Sequence, residues 1–310
     1  MTVSNANSAH RQRIVPHFWF DTQAVEAAEF YVDVFPDSAI DSVRTIRNTP
    51  SGDCDLVEFR LAGFEFAAIS AGPMFTINPS ISFMVNFDPS HDASARENLD
   101  VMWDSLADGG TVRMALDAYP FSERYGWVRD RFGVEWQLIL TNPSGDDRPF
   151  IITSLMFTGE NLGNARSALD FYASVFEDSQ AGQLVPWGEA GPPGTAEMLM
   201  FSDFSLAGQW FTAMDSPADH GFGFNEAVSL IVKCDNQQQL NDYWHKLTDG
   251  GQEVECGWLT DRFGVSWQVV PREMDEMMAS GTPEQLDRVT QAFLKMVKFD
   301  IEKLRQAYNS

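Results

Sequence analysis

Cysteine is scarce in this 310-residue chain. Its three cysteines, Cys54, Cys234 and Cys256, are odd in number, far apart and form no CxxC pair. Such a pattern provides neither the clustered thiolates of a structural zinc site nor a disulfide framework. It favours a reducing compartment.

Long apolar runs and basic residues are also lacking. No segment approaches the roughly 18 apolar residues of a membrane-spanning helix, and the N-terminal residues lack the apolar centre of a signal peptide. The chain has 21 Lys and Arg against 45 Asp and Glu, a net charge of −24. This charge repels nucleic-acid phosphates and anionic lipid headgroups, so neither nucleic acid nor membrane is an expected partner. We predict a cytoplasmic protein.

One stretch of the sequence occurs twice. Residues 126–140 read GWVRDRFGVEWQLIL, and residues 257–271 read GWLTDRFGVSWQVVP. In each copy, Asp-Arg-Phe-Gly has the composition of a tight hairpin, because Asp bonds its own backbone and Gly accepts positive φ. The flanking β-branched and aromatic residues favour strands. The repeat predicts a duplicated domain, each copy closed by the same hairpin.

The order of predicted elements repeats as well. An aromatic strand over 14–20 precedes an amphipathic helix over 23–35 and three short strands, which gives a βαβββ unit. The pattern starts again at residue 80, and the second half repeats the first. The predicted organisation is a flexible leader (1–13), a first domain (14–141), a linker (142–149), a second domain (150–271) and a C-terminal helical extension (272–310).

The extension begins its main helix at Thr282-Pro283-Glu284, a capping residue followed by proline and an acid. Four apolar residues then line one face: Leu286, Val289, Phe293 and Met296. A second short helix follows, with Ile301, Leu304 and Tyr308 at similar spacing. Such stripes must be buried, either on the same chain or on a partner subunit.

Three segments carry a resemblance to a known family: HFWFDTQAVEAAEFYVDVFPDS, PFSERYGWVRDRFGVEWQL and CGWLTDRFGVSWQVVP. With the βαβββ pairs, they resemble the vicinal oxygen chelate superfamily of glyoxalase I, extradiol dioxygenases and bleomycin-resistance proteins. More closely, they resemble its PhnB-like branch, often named demethylubiquinone methyltransferase. The resemblance implies an α+β fold of tandem domains, each built from two βαβββ units. No glycine-rich loop for S-adenosylmethionine follows a strand.

The resemblance also implies where a site lies. Metal-using relatives place ligands on the first, fourth, fifth and eighth strands of a domain, facing its concave side. The first-, fifth- and eighth-strand positions fall on six residues of this chain: His17, Ser82 and Gln137 in the first domain, and Ser154, Ser229 and Gln268 in the second. We therefore expect His17, Ser82 and Gln137 to face one cavity. Because these donors are neutral, we predict no tightly bound metal and no cofactor.

The tryptophans divide by strand alternation. Trp19 shares the face of His17 and is predicted to form a wall of the pocket. Trp136 and Trp267 point opposite to the neighbouring glutamines and are predicted to be core residues.

Two functions follow from the resemblance. The first is a protein that binds a small organic molecule in a concave pocket, without a catalytic metal. The alternative is a metal-dependent enzyme of lyase, isomerase or dioxygenase type acting through the first domain, so whether the chain is an enzyme stays open. Two arrangements stay open: the pocket lies in either domain, or it lies only in the first domain while the second serves as a scaffold. We expect a monomer whose two domains pair through sheet edges or shared unit faces, or a homodimer.

Overall fold

The computed structural model describes residues 12–49, 51–189 and 191–310. Of the predicted leader, residues 1–11 lie outside this part of the chain. Gln12 and Arg13 are described, and both are engaged: the Gln12 side chain bonds the main chain of Glu65, and Arg13 forms an ion pair with Asp235 at 2.9 Å.

Four βαβββ units account for most of the described fold. The first unit comprises β1 (Ile14–Phe20), α1 (Ala24–Val34), β2 (Ala39–Thr49), β3 (Gly52–Leu61) and β4 (Phe64–Ser70). The second comprises β5 (Ile81–Phe87), α2 (Ala95–Ala107), β6 (Thr111–Tyr119), β7 (Ser122–Arg129) and β8 (Glu135–Leu140). The third comprises β9 (Ile151–Phe157), α3 (Ala165–Val175), β10 (Gln180–Pro186), β11 (Leu199–Leu206) and β12 (Gln209–Asp215). The fourth comprises β13 (Val228–Cys234), α4 (Gln237–Leu247), β14 (Gln252–Glu253), β15 (Trp258–Thr260) and β16 (Ser266–Pro271).

These units combine into two curled, mixed sheets of eight strands. Sheet I has the order β14-β15-β16-β13-β1-β4-β3-β2, and sheet II the order β10-β11-β12-β9-β5-β8-β7-β6. The predicted architecture of two similar α+β domains, each built from two βαβββ units, is confirmed. Each sheet takes one unit from each half of the sequence: the first joins the fourth, and the second joins the third.

Antiparallel strand pairs join the two halves at the middle of each sheet. In sheet I, β1 pairs with β13 and aligns His17 with Ser229. In sheet II, β5 pairs with β9 and aligns Ser82 with Ser154. Strands from the two halves of the sequence therefore pair within both sheets.

The helix-bearing faces of the two sheets share one core. Phe18 of β1 meets Phe83 of β5 at 5.4 Å between ring centroids, and Tyr31 of α1 meets Trp136 of β8 at the same separation. Trp136 and its repeat Trp267 are completely buried, as predicted. The repeated hairpin also forms as predicted, because Asp130 Oδ1 accepts the main-chain N–H groups of Phe132 and Val134.

The C-terminal extension consists of α5 (Arg272–Ser280), α6 (Pro283–Phe293) and α7 (Ile301–Asn309). The start of α6 is as predicted, with Thr282 and Gln285 forming a capping box. Val289, Phe293 and Leu304 are buried within the chain itself, whereas Leu286 and Met296 are partly buried. None of the helices in the described ranges has the length and apolar character needed to cross a bilayer.

Helix α5 was not predicted from the sequence. Its N-cap, Pro271, makes no side-chain capping bond. The helix packs Met274, Met277 and Met278 on the core and is also held by ion pairs, from Asp275 to Lys233 at 2.7 Å and from Glu273 to Arg305 at 2.6 Å.

Candidate functional site

Two concave faces hold the residues predicted to bind a ligand. We call the concave face of sheet I cup I and that of sheet II cup II. Because side chains alternate along a strand, His17 points away from core residue Phe18, and Ser82 away from core residue Phe83. Since Phe18 and Phe83 meet in the shared core, the two cups face away from each other.

Cup I gathers four of the predicted residues: His17, Trp19, Ser229 and Gln268. Ser229 Oγ lies 3.3 Å from His17 Nδ1 and accepts a hydrogen bond from Gln268 Nε2 at 3.0 Å. These polar groups come from strands β1, β13 and β16, which are neighbours in sheet I. They form one continuous buried chain across the sheet.

Trp258 of β15 completes the aromatic side of cup I. Its ring lies edge-on to His17 at 5.6 Å and to Trp19 at 6.1 Å between centroids. Trp19 shares the face of His17, as strand alternation predicted. Trp258 was missed, although its register partner Gln268 was assigned to this face.

His17 is neutral in this environment. Burial, with a smaller contribution from the positive charge of Lys233, lowers the pKa of His17 to about 3. The side chain is only 3% exposed. A neutral imidazole so enclosed has a lone pair available for hydrogen bonding but little access to solvent.

The expectation that His17 shares a cavity with Ser82 and Gln137 is wrong. His17 belongs to sheet I, whereas Ser82 and Gln137 belong to sheet II on the other side of the core. The error follows from assuming that consecutive units share a sheet.

Cup II gathers the other three predicted residues: Ser82, Gln137 and Ser154. Gln137 Nε2 donates to Ser82 Oγ at 2.8 Å, and the hydroxyl of Tyr125 donates to Gln137 Oε1 at 2.7 Å. These bonds use both ends of the Gln137 amide. Ser154 lies directly opposite Ser82 in the antiparallel pair of β5 and β9.

Two hydroxyls in cup II are buried without a hydrogen-bond partner. Ser154 and Thr212 are register partners on β9 and β12, and each is 1% exposed. Ser154 Oγ and Thr212 Oγ1 have no partner in the structure. Among the described residues, Ser266 Oγ on sheet I and Thr153 Oγ1 in the core share this property, but only in cup II do two such groups stand side by side. Thr212 was missed because no motif marks it.

Three buried or half-buried carboxylates on the cup faces are paired with arginines. In cup II, Glu135 binds Arg113 at 2.8 Å and accepts the indole N–H of Trp127 at 3.0 Å. Asp203, opposite Thr212, binds Arg148 at 2.9 Å. In cup I, Glu58 binds Arg44 at 3.1 Å.

This donor set fits a divalent cation poorly. Cup I offers one imidazole, one amide and hydroxyls, and cup II offers an amide and hydroxyls, while Glu58, Glu135 and Asp203 are already paired with arginines. Hard divalent ions favour several carboxylate or imidazole ligands that converge on one point. Elsewhere in the described ranges, ligand atoms of Asp88, His91 and Asp147 lie within 4.8 Å of one another, but on the surface and outside both cups.

The fold is the tandem glyoxalase-like fold. Glyoxalase I from Zea mays matches with a TM-score of 0.53 at 10% identity, over 85% of this chain and 95% of that chain. At this identity the match shows the fold alone.

A match of the sequence to a family model identifies the family of this chain. A family model described as 3-demethylubiquinone-9 3-methyltransferase matches residues 12–139 and again 149–270. The chain therefore belongs to this PhnB-like family, with two copies in tandem. A PhnB protein from Bacillus cereus is 33% identical and matches over its full length and 42% of this chain, with a TM-score of 0.38. A search of curated proteins finds no match to this chain.

Proposed function

We propose that this chain binds a small organic molecule in cup II and does so without a tightly bound metal ion. The observation that carries the proposal is the adjacent pair of buried, unpartnered hydroxyls on Ser154 and Thr212. Leaving such a group unpaired costs about 1–3 kcal/mol. A ligand oxygen or nitrogen placed between the two hydroxyls would recover this cost.

The rest of cup II supports an apolar body for that ligand. Met84, Ile152 and Met156 are buried on the face that carries Ser82 and Ser154. Methionine adapts its shape to irregular partners, and apolar walls with a few fixed polar groups are typical of small-molecule sites. The expected ligand is a compact, largely apolar molecule with at least one carbonyl or hydroxyl group.

The absence of a tightly bound metal follows from charge. Ser82, Ser154, Thr212 and Gln137 contribute no negative charge, and Glu135 already binds Arg113. A divalent ion placed among these groups gains little Coulomb attraction for the water that it loses.

The test is a thermal-shift screen of small oxygen-bearing compounds, followed by calorimetry on the hits. Ser154→Ala and Thr212→Val should each weaken binding by about tenfold, since each removes one hydrogen bond to the ligand. Neither variant should lower the melting temperature of the free protein, because each removes an unpaired group. Ser229→Ala, in cup I, is the matched control and should bind as the wild type does.

Hits that bind Ser154→Ala and Thr212→Val normally but lose affinity for Ser229→Ala would refute the assignment to cup II. A hit that requires one tightly held divalent ion per chain would instead support the metal-dependent enzyme.

A further inference from the structure

The two sheets differ where the repeated sequence differs in length. Sheet II ends in a long hairpin, β6 and β7, of nine and eight residues. The corresponding strands of sheet I, β14 and β15, have two and three residues. The C-terminal extension fills this place: Cys256 N donates to Met296 O and Gly257 N to Val297 O, both at 2.7 Å.

A repeated glycine marks the same exchange. A Cβ on Gly126 would lie 2.5 Å from the ring of Trp103, which belongs to helix α2 of the same unit. A Cβ on the equivalent Gly257 would also lie 2.5 Å from a ring, but that ring is Phe299 of the extension. Phe299 is 2% exposed. The extension therefore supplies to sheet I a contact that sheet II obtains from its own unit.

The extension also crosses cup I. Helix α5 follows directly on β16, and its Asp275 pairs with Lys233 of β13, a residue on the same face as Ser229. Helix α6 contacts β2, at one edge of sheet I. The residues after α6 bond to Cys256 and Gly257, beside β15 near the other edge. A segment that touches both edges and the concave face between them spans the mouth of the cup.

We propose that residues 272–310 are a resident cover of cup I, which must move before a ligand can reach His17. The part that concerns the ligand rests on the function proposed above. Met277, Val289 and Phe293 of the extension are buried. Displacing the extension would expose these apolar side chains to water.

Footprinting with diethyl pyrocarbonate tests the cover without any ligand. In the full-length protein, His17 should be modified at least about tenfold more slowly than the exposed His91, since reaction requires local opening of the cover. Asp275→Ala should accelerate the modification of His17, because it breaks the ion pair that holds α5 to Lys233 on the cup face. Asp100→Ala, which breaks the ion pair of α2 with Arg124 in sheet II, should leave the rate at His17 unchanged.

Modification of His17 at the rate of His91 in the full-length protein would overturn the cover. So would an unchanged rate in the double variant Asp275→Ala and Arg305→Ala, which breaks both ion pairs of α5, provided that its circular dichroism is native. Compounds found in the thermal-shift screen should bind one per chain, in cup II, and a second equal site in cup I would overturn the cover. Because the footprint needs no ligand, its result stands even if the proposed function fails.

Discussion

The hydroxyl of Tyr31 donates to Asp130 Oδ2 at 2.7 Å, although the two residues are 99 positions apart. Tyr31 lies on α1 of the first unit, and Asp130 lies in the hairpin of the second. Trp136 donates its indole N–H to the same oxygen at 2.8 Å. The repeat reproduces this arrangement, with Tyr172 and Trp267 donating to Asp261 Oδ2 at 2.7 and 2.8 Å. Each buried carboxylate therefore ties two consecutive units together.

We expect Asp130→Asn and Asp261→Asn each to destabilise the protein by about 1–3 kcal/mol. An amide presents N–H groups to at least one of the existing donors, and the indole N–H of Trp136 or Trp267 has no means of accepting a hydrogen bond. Urea denaturation measures the loss. Asp104→Asn, an exposed change on α2, is the control and should have little effect. Equal stability of all three variants would contradict the role of the buried carboxylates.

The same carboxylates predict a pH dependence of stability. Burial raises the pKa of both Asp130 and Asp261 to about 6, although their hydrogen bonds act in the opposite direction. Between the ordinary value of 3.8 and about 6, the folded state therefore binds more protons than the unfolded state. The free energy of unfolding should fall as pH rises through this window, by up to about 3 kcal/mol per group.

Denaturation curves between pH 4 and 7.5 should lose part of this slope in Asp130→Asn. His17 contributes with the opposite sign, because its pKa is lowered in the fold, so its variant His17→Gln should steepen the fall in stability with rising pH. Parallel curves for the wild type and Asp130→Asn would show that the Asp130 carboxyl titrates normally.

The exchange of units predicts the behaviour of half the chain. Residues 1–145 contain β1 and β5 without their partners β13 and β9. Two unpaired edges beside apolar surface favour association, so this fragment should dimerise or bind a hydrophobic dye. Light scattering after size exclusion measures its mass. Adding residues 146–310 should restore a one-to-one complex, and a non-associating monomer that binds no dye would argue against obligatory exchange.

Metal titration distinguishes binding in cup I from binding in cup II. We expect the wild type to bind divalent ions weakly and without fixed stoichiometry, through its acidic surface. Gln137→Glu adds a charge in cup II, and any gain in affinity should persist in the double variant with His17→Ala, because His17 lies in cup I. Calorimetry compares the two variants. Tight one-to-one binding by the wild type that disappears in His17→Ala would overturn the metal-free proposal.

The amino-acid sequence determined the local units of this protein. The alternation in β1 placed Trp19 beside His17, the Asp130 hairpin was readable from its turn residues, and the cap at Thr282 set the start of α6. These features depend on neighbours within a few positions, so periodicity and turn chemistry predict them.

The tertiary structure alone decided which units share a sheet and therefore which residues share a cup. Strands β1 and β5 both offer apolar, hydrogen-bonding edges, and nothing local distinguishes their partners. The contact of Phe18 with Phe83 and the bond from Tyr31 to Asp130 set the first two units back to back across one core. Their concave faces therefore point apart. His17 contacts Ser229 from the second half of the sequence, whereas Gln137 contacts Ser82 from its own half.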